Sequence, residues 1–336
     1  MNISFNLLQQ ERIKMKKKIV RGSAIALIAL AAIYLIICYV VYDKLSKVTP
    51  GGGADAQNTP ASFTMTVDEY PSFAVSPYFI ADYENVRFAS RQERLTLAGW
   101  YIPGDPGAPV VILTHGLNGC KCSPRILTVA GMLHRNGFNV LAYDMREHGE
   151  SDIEDGRAAI GNEEYQDLLG AWDWLVDEKK YDPKQIGVFG ESLGAGTTLI
   201  AFGQEPRLAA AFVDSPYSDL PQIINEELAR NNYPTLLEPG TILVARLVAG
   251  DNLVAFSPKD AITNDAGRPI YIVHGTGDKR INVHHTQQLA ELASRTNANV
   301  TVWMPEGVGH VMAELALPDE YEQRLVAFFR DSLGYK

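Results

Sequence analysis

Hydrophobic and polar positions along the chain fall into three regimes. Residues 22–42 form an unbroken apolar run, GSAIALIALAAIYLIICYVVY, without a single charge. As a helix it reaches about 31 Å, matching a hydrocarbon core of about 30 Å. It has no polar face of the kind that a helix in a soluble core turns to water. Residues 43–69 lose that continuity, and with Gly51-Gly52-Gly53 and scattered polar positions they read as a flexible stalk. Beyond them, short β-branched or apolar runs alternate with helical periodicity. A hairpin is predicted over 86–88 and 95–102, then strands over 110–114, 139–143, 186–189, 209–213, 270–273 and 300–304. Over 162–179, Tyr165, Leu168, Leu169, Trp172 and Leu175 share one helical face. This alternation predicts an α/β fold, a mostly parallel eight-stranded sheet with helices on both faces. The connection over 217–262 is longer than usual and carries two helix-like runs, 221–230 and 241–249. It reads either as a lid over the strand ends or as a helical pair packed on the sheet.

Composition changes the picture little. The 336 residues are 46% hydrophobic and 21% charged, which excludes a disordered or multi-span chain. A formal net charge of −10 argues against nucleic acid as a partner. The distribution of charge says more. Residues 1–21 carry Arg12, Lys14, Lys16, Lys17, Lys18 and Arg21 against Glu11. Only Lys44 and Lys47 follow the apolar run closely, so the positive-inside rule places the N-terminus in the cytoplasm and the larger part outside. Tyr34, Tyr39 and Tyr42 lie toward the far end, where aromatic belts sit. A cleaved signal peptide would have a shorter apolar core, and Leu35-Ile36-Ile37-Cys38 has a bulky Ile37 where a lipobox needs a small residue. The expected organisation is a basic cytoplasmic tail (1–21), a transmembrane signal anchor (22–42) placing the protein in the cell membrane as a single-pass species, the stalk (43–69), and a domain over 70–336.

In a parallel sheet, function collects at the carboxyl ends of the strands. The strand at 186 ends in Gly190-Glu191-Ser192-Leu193-Gly194, followed by Ala195-Gly196-Thr197-Thr198. Alone, such a pattern is also met as a glycine-rich turn with an idle serine. Between a buried strand and a helix, it is the sharp turn that lifts a serine hydroxyl clear of a sheet. The strand at 110 ends in His115-Gly116-Leu117-Asn118-Gly119, a turn able to aim a backbone N–H at a developing oxyanion. The strand at 270 ends in His274-Gly275-Thr276-Gly277-Asp278, and the strand at 300 is followed by Glu306-Gly307-Val308-Gly309-His310. A serine hydroxyl needs a base, and the base needs a carboxylate to fix its tautomer. Ser192, Asp278 and His310 supply these in that order, with the Leu117 and Leu193 amides as the oxyanion hole. Asp214, also at a strand end, competes with Asp278 for the role of acid.

With these motifs in place, the sequence resembles the α/β-hydrolase superfamily over roughly residues 86–333. Asp144-Met145-Arg146-Glu147-His148-Gly149-Glu150-Ser151 looks like that family's D-x-R-G-H-G-x-S stretch, departing from it at Glu147, where glycine is usual. The anchor and Asp214-Ser215-Pro216-Tyr217-Ser218 look most like membrane-anchored serine esterase/peptidase-like members. The resemblance implies a serine hydrolase acting on a small ester, possibly a thioester, or a peptide. A peptidase, an acyltransferase and a non-catalytic binding module are its rivals. Of the remaining histidines, His115, His148 and His274 read as loop supports and His134 as exposed. His284 and His285 open a helix without convincing ligand spacing, so no metal and no cofactor are expected. Cys120 and Cys122, one residue apart, are expected as two small semi-buried thiols because so short a bridge is strained. Acidic residues of the lid, Glu226 and Glu227, are the one candidate for holding a substrate amine. The sequence carries no legible signal for oligomeric state.

Overall fold

The computed structural model describes residues 2–50, 53–91 and 94–336; Gly51 and Gly52 of the expected stalk lie outside them. In chain order the principal elements are helix α1 (Asn2–Ser46), strands β1 (Glu84–Ala89), β2 (Thr96–Ile102) and β3 (Val110–Thr114), helix α2 (Pro124–His134), β4 (Asn139–Tyr143), α3 (Glu164–Asp177), β5 (Ile186–Glu191), α4 (Leu193–Gln204), β6 (Ala210–Asp214), α5 (Leu220–Arg230), α6 (Glu238–Val248), α7 (Lys259–Thr263), β7 (Ile270–Val273), α8 (His284–Thr296), β8 (Val300–Trp303), α9 (Ala313–Ala316) and α10 (Pro318–Leu333). The eight strands form one sheet in the order β1-β2-β4-β3-β5-β6-β7-β8. Strand β2 is antiparallel to β1 and β4, and the rest are parallel, so the sheet is mixed.

The inner strands are buried on both faces, which is why they read as continuous apolar runs rather than as alternation. Val110, Ile112, Val188, Ala211 and Ile272 point to one side, where α3, α4 and α8 pack. Val111, Leu113, Phe189, Phe212 and Val273 point to the other, under α2 and α10. The two layers hold the sheet between them, and the chemistry-bearing turns emerge along one edge, at the carboxyl ends.

Helix α1 runs without a break from Asn2 to Ser46, about 68 Å at the helical rise. It is the one helix among the described residues that is long and apolar enough to cross a membrane. Ile25, Leu27, Ile28, Leu30, Ile33 and Ile36 stand exposed on it. Its last turns do not. Cys38, Val41 and Tyr42 are buried against Ile224 and Leu228 of α5 and Val244 and Ala245 of α6. The close approach depends on Gly240, where a Cβ would overlap Cys38 Sγ and the Tyr34 ring. Tyr34 Oη donates to Leu236 O at 2.9 Å, and Tyr42 Oη donates to the buried Asp251 Oδ2 at 2.6 Å.

The segment expected as a flexible stalk is tied to the domain at several of its described residues. Val48 N donates to Gly156 O at 3.0 Å, Thr49 N to Asn118 Oδ1 at 2.8 Å, and Phe63 is buried in the core beneath α2. Val48 and Phe63 are buried there, which a composition-based reading of a polar, glycine-containing stretch does not register.

Candidate active site

The turn from β5 into α4 places Ser192 at φ 53°, ψ −117°, a conformation costly for a residue with a Cβ and held by its surroundings. A Cβ on Gly194 would overlap the backbone oxygens of Thr114 and His115, and one on Gly190 would overlap Gly194 O. The two glycines therefore let β3 and α4 close on the turn. The hydroxyl stands at the first turn of α4, where unpaired amides favour developing negative charge.

The loops after β7 and β8 deliver the other two groups. His310 Nε2 lies 2.9 Å from Ser192 Oγ, and His310 Nδ1 lies 2.7 Å from Asp278 Oδ2. Asp278 Oδ1 accepts the backbone N–H groups of Arg280 (2.7 Å) and Ile281 (2.9 Å). His274 Nε2 sits 3.2 Å from Asp278 Oδ2 and 2.9 Å from Ile281 O, while its Nδ1 meets Thr286 Oγ1 at 2.7 Å. With two acceptors facing Nε2, His274 carries its proton there and acts as a second donor to the carboxylate. Burial alone would raise the Asp278 pKa; the hydrogen bonds from His274 and His310 outweigh it and hold the carboxyl well below its usual range. Burial lowers the His310 pKa, and the Asp278 charge only partly offsets this. Neutral imidazole facing a hydroxyl, with its far nitrogen held by a carboxylate, is the arrangement that accepts a serine proton. Asp214 is not the partner of His310: it is buried, accepts from Ser215 Oγ (2.9 Å) and Tyr321 Oη (3.2 Å), and burial pushes its carboxyl up to about 7.

Leu117 and Leu193 line the same cavity as Ser192. The turn that carries Leu117 is braced from below. His148 Nε2 accepts the Asn118 N–H at 3.2 Å and its Nδ1 donates to Arg146 O at 2.7 Å; His115 Nε2 accepts the Met145 N–H at 3.1 Å and its Nδ1 donates to Gly116 O at 2.7 Å. Burial holds both histidines below the usual imidazole range, so each stays neutral with one nitrogen free to accept. Glu147, the departure from the family pattern, has φ 66° and is buried. Its carboxylate accepts the N–H groups of Glu154 (2.7 Å), Asp155 (3.1 Å) and Gly156 (2.7 Å). A side chain that strains its own backbone thus organises the loop on which the end of α1 is docked, through Arg157 and Asp43 at 2.5 Å.

The long connection after β6 does reach the site. Ile223, Ile224 and Glu227 of α5, Thr241 of α6 and Leu253 line the cavity together with Ser192, and so do Tyr42, Leu45 and Ser46 of α1. Two features of this lining had no reading in the sequence. One is the participation of α1. The other is Arg280, which pairs with Glu227 across the cavity. Glu226, the second acidic candidate, is occupied as well: His284 Nε2 and His285 Nε2 lie 3.0 and 3.1 Å from its oxygens. These three residues bring ligand-type atoms within 4.8 Å of one another. However, His285 Nδ1 accepts the Ser218 N–H at 3.1 Å, which leaves the proton on Nε2 and makes the cluster a hydrogen-bonded clasp between lid and α8. The expectation of two free thiols at 120 and 122 is overturned. Cys120 and Cys122 form a disulfide. Ser123 N donates to Cys120 O at 3.0 Å, and this turn brings the two Cα atoms to 4.9 Å, within bridging range.

The strand order, the serine turn and the order of the three polar residues define a protein of the α/β-hydrolase superfamily. Its residues 128–336 match the model of the prolyl oligopeptidase family, and the chain belongs to that family. An uncharacterized protein of Mycobacterium tuberculosis, Rv2307c, is 30% identical over 229 residues, covering 67% of this chain and 71% of that one. Among solved structures, the Pyrococcus furiosus esterase Pf2001 is similar with a TM-score of 0.64 at 23% identity, over 86% of this chain and 99% of the esterase. A puromycin-hydrolyzing peptidase of M. tuberculosis is similar with a TM-score of 0.61 at 18% identity, over 77% of this chain and 40% of the peptidase. At these identities the structural likeness speaks for the fold alone. Family membership places the chain among hydrolases without deciding between ester and peptide.

Proposed function

We propose that the chain is a membrane-anchored serine hydrolase that cleaves carboxylic esters through an acyl-enzyme on Ser192. The observation that carries this reading is the continuous line from Ser192 Oγ through His310 to Asp278, opening into an apolar cavity. Ser192 Oγ adds to the ester carbonyl carbon as its proton passes to His310 Nε2. The carbonyl oxygen becomes an oxyanion held by the amides of Leu117 and Leu193. Its collapse breaks the bond to the alcohol, which departs with the proton from His310. Water then gives a proton to His310 and adds to the acyl carbon, and the acid leaves as the proton returns to Ser192.

Two considerations favour esters over amides. An alkoxide leaves with less help from a proton donor than an amine does. Among the described residues the one carboxylate in the cavity lining is Glu227, and its charge is already paired with Arg280 rather than free for a substrate ammonium. Membrane anchoring rests on the exposed apolar surface of α1. The basic segment before it puts the N-terminus inside and the catalytic domain outside, and the Cys120–Cys122 disulfide agrees with an oxidising exterior. Family membership keeps a peptidase reading in play. The test is turnover by the full-length chain in detergent of p-nitrophenyl esters from acetate to palmitate, beside aminoacyl and peptidyl nitroanilides, with Ser192→Ala as control. Ester turnover lost in the variant is the expected result. Nitroanilide cleavage with little ester turnover moves the protein to the peptidases, and full activity of Ser192→Ala refutes the mechanism.

A further inference from the structure

The apolar helix that would anchor the protein is also a wall of its cavity. Tyr42, Leu45 and Ser46 of α1 face the same space as Ser192. The segment just after the helix reaches the oxyanion turn itself, through Thr49 N and Asn118 Oδ1 at 2.8 Å. An anchor that only tethered its domain would leave a stretch of linker between the two. Here the first contacts with the lid begin at Tyr34, well inside the apolar run.

The lengths then fix how deep the lid must lie. Residues 22–33, the part of the run that stands exposed, reach only about 18 Å, some 12 Å short of a hydrocarbon core of about 30 Å. The deficit is made up by the turns from Tyr34 to Tyr42, the turns packed on α6. If the run spans the bilayer, α6 lies within the outer leaflet. Its free face suits that depth: Leu243 is 46%, Leu247 71% and Val248 57% exposed, and Leu236 just before the helix is 67% exposed. Arg246 lies exposed on the same face, where its long side chain can reach a lipid phosphate. Like the exposed apolar residues of α1, these apolar side chains are left uncovered among the described residues.

We propose that the exposed face of α6 is sunk into the outer leaflet, and that the substrate is an ester whose acyl chain lies in the bilayer and enters the cavity beside α1. The proposal rests on the reading of the chain as a membrane-anchored serine hydrolase and names its substrate class. An acyl chain drawn in this way passes from one apolar environment to another and never crosses water, which removes the largest cost of delivering a lipid to a soluble site.

The test uses the full-length protein in phosphatidylcholine vesicles, with 4-methylumbelliferyl oleate in the bilayer and 4-methylumbelliferyl acetate in the water. The two share a leaving group, so their ratio of kcat/KM reports access rather than chemistry. In the Leu243→Glu/Leu247→Glu variant, the oleate-to-acetate ratio is expected to fall at least about tenfold. Parallel loss of both rates, or no change in the ratio, overturns the proposal. A second variant guards against misfolding: Leu247→Cys carrying an environment-sensitive fluorophore is expected to be quenched by lipids brominated on their acyl chains. An unquenched label overturns the proposal as well. Ser192→Ala run in both assays keeps the two claims apart, because turnover surviving in that variant refutes the hydrolase reading and not the docking.

Discussion

Replacing Asp278 by Asn separates the two carboxylates that compete for one role. The side chain of Asp278 is fully buried and meets four donors: the imidazoles of His310 and His274 on Oδ2, and the N–H groups of Arg280 and Ile281 on Oδ1. An asparagine must put an NH2 on one side or the other. Aimed at the backbone amides, it faces two donors that cannot move. Aimed at the imidazoles, it forces His310 to accept through Nδ1 and so to carry its proton on Nε2, toward Ser192. In that tautomer the imidazole cannot take the hydroxyl proton. The expected loss in kcat/KM is on the order of 10⁴, which corresponds to about 5.4 kcal/mol of transition-state stabilisation. Asp214→Asn is the matched control. Its carboxyl is pushed up to about 7 by burial, so at neutral pH it is already protonated in much of the population, and its partners are two hydroxyls that can turn to suit an amide. Its expected loss is below about tenfold. The assay is steady-state hydrolysis of a short p-nitrophenyl ester by the full-length protein, with folding followed by near-UV circular dichroism. A silent Asp278→Asn beside a crippled Asp214→Asn would refute the assignment of the acid and the tautomer argument with it.

Three further outcomes follow from the same geometry. The base must be neutral to act, and burial lowers the His310 pKa, so log kcat/KM should rise with pH through a midpoint below 6.5; a midpoint above about 7 contradicts the electrostatics. Glu147→Ala strips three backbone N–H groups of a charged acceptor and should cost about 1.5–3 kcal/mol, lowering Tm by roughly 4–10 °C, with faster hydrogen exchange at Glu154, Asp155 and Gly156; an unchanged Tm contradicts the bracing role. Thiol titration of the unfolded, unreduced chain should find one thiol, Cys38, and three after reduction; three before reduction removes the disulfide.

The parts of this molecule that were legible in its sequence are those governed by local rules. Inner strands buried on both faces have to be short apolar runs. A serine turn has to have glycines where backbone crosses backbone. The polar residues near Ser192 stand just past strand ends, and of the two aspartates there it is Asp278, not Asp214, that lies beside His310. What escaped was set by contacts distant in sequence. The docking of α1 left a faint trace, since Tyr34, Cys38, Tyr42 and Ser46 recur every fourth residue along one face of an otherwise uniform apolar helix, and each of them now makes a hydrogen bond. In an all-apolar run that spacing has no contrast against which to be read. Glu147 looked like a defect of a loop motif because its compensation, three amides at 154–156, lies in a segment without pattern. Arg280 and Glu227, 53 residues apart, are joined only by the closure of the lid on the strand ends.

The central claim is that Ser192 carries the acyl group. The measurement that meets it most directly is mass spectrometry of the full-length protein quenched in acid during turnover of p-nitrophenyl butyrate. The account predicts a butyryl increment of about 70 Da on the peptide containing Ser192, absent from Ser192→Ala and accumulating in proportion to the initial burst of nitrophenol. Turnover with that peptide unmodified, or an acyl group found on another residue, would contradict it.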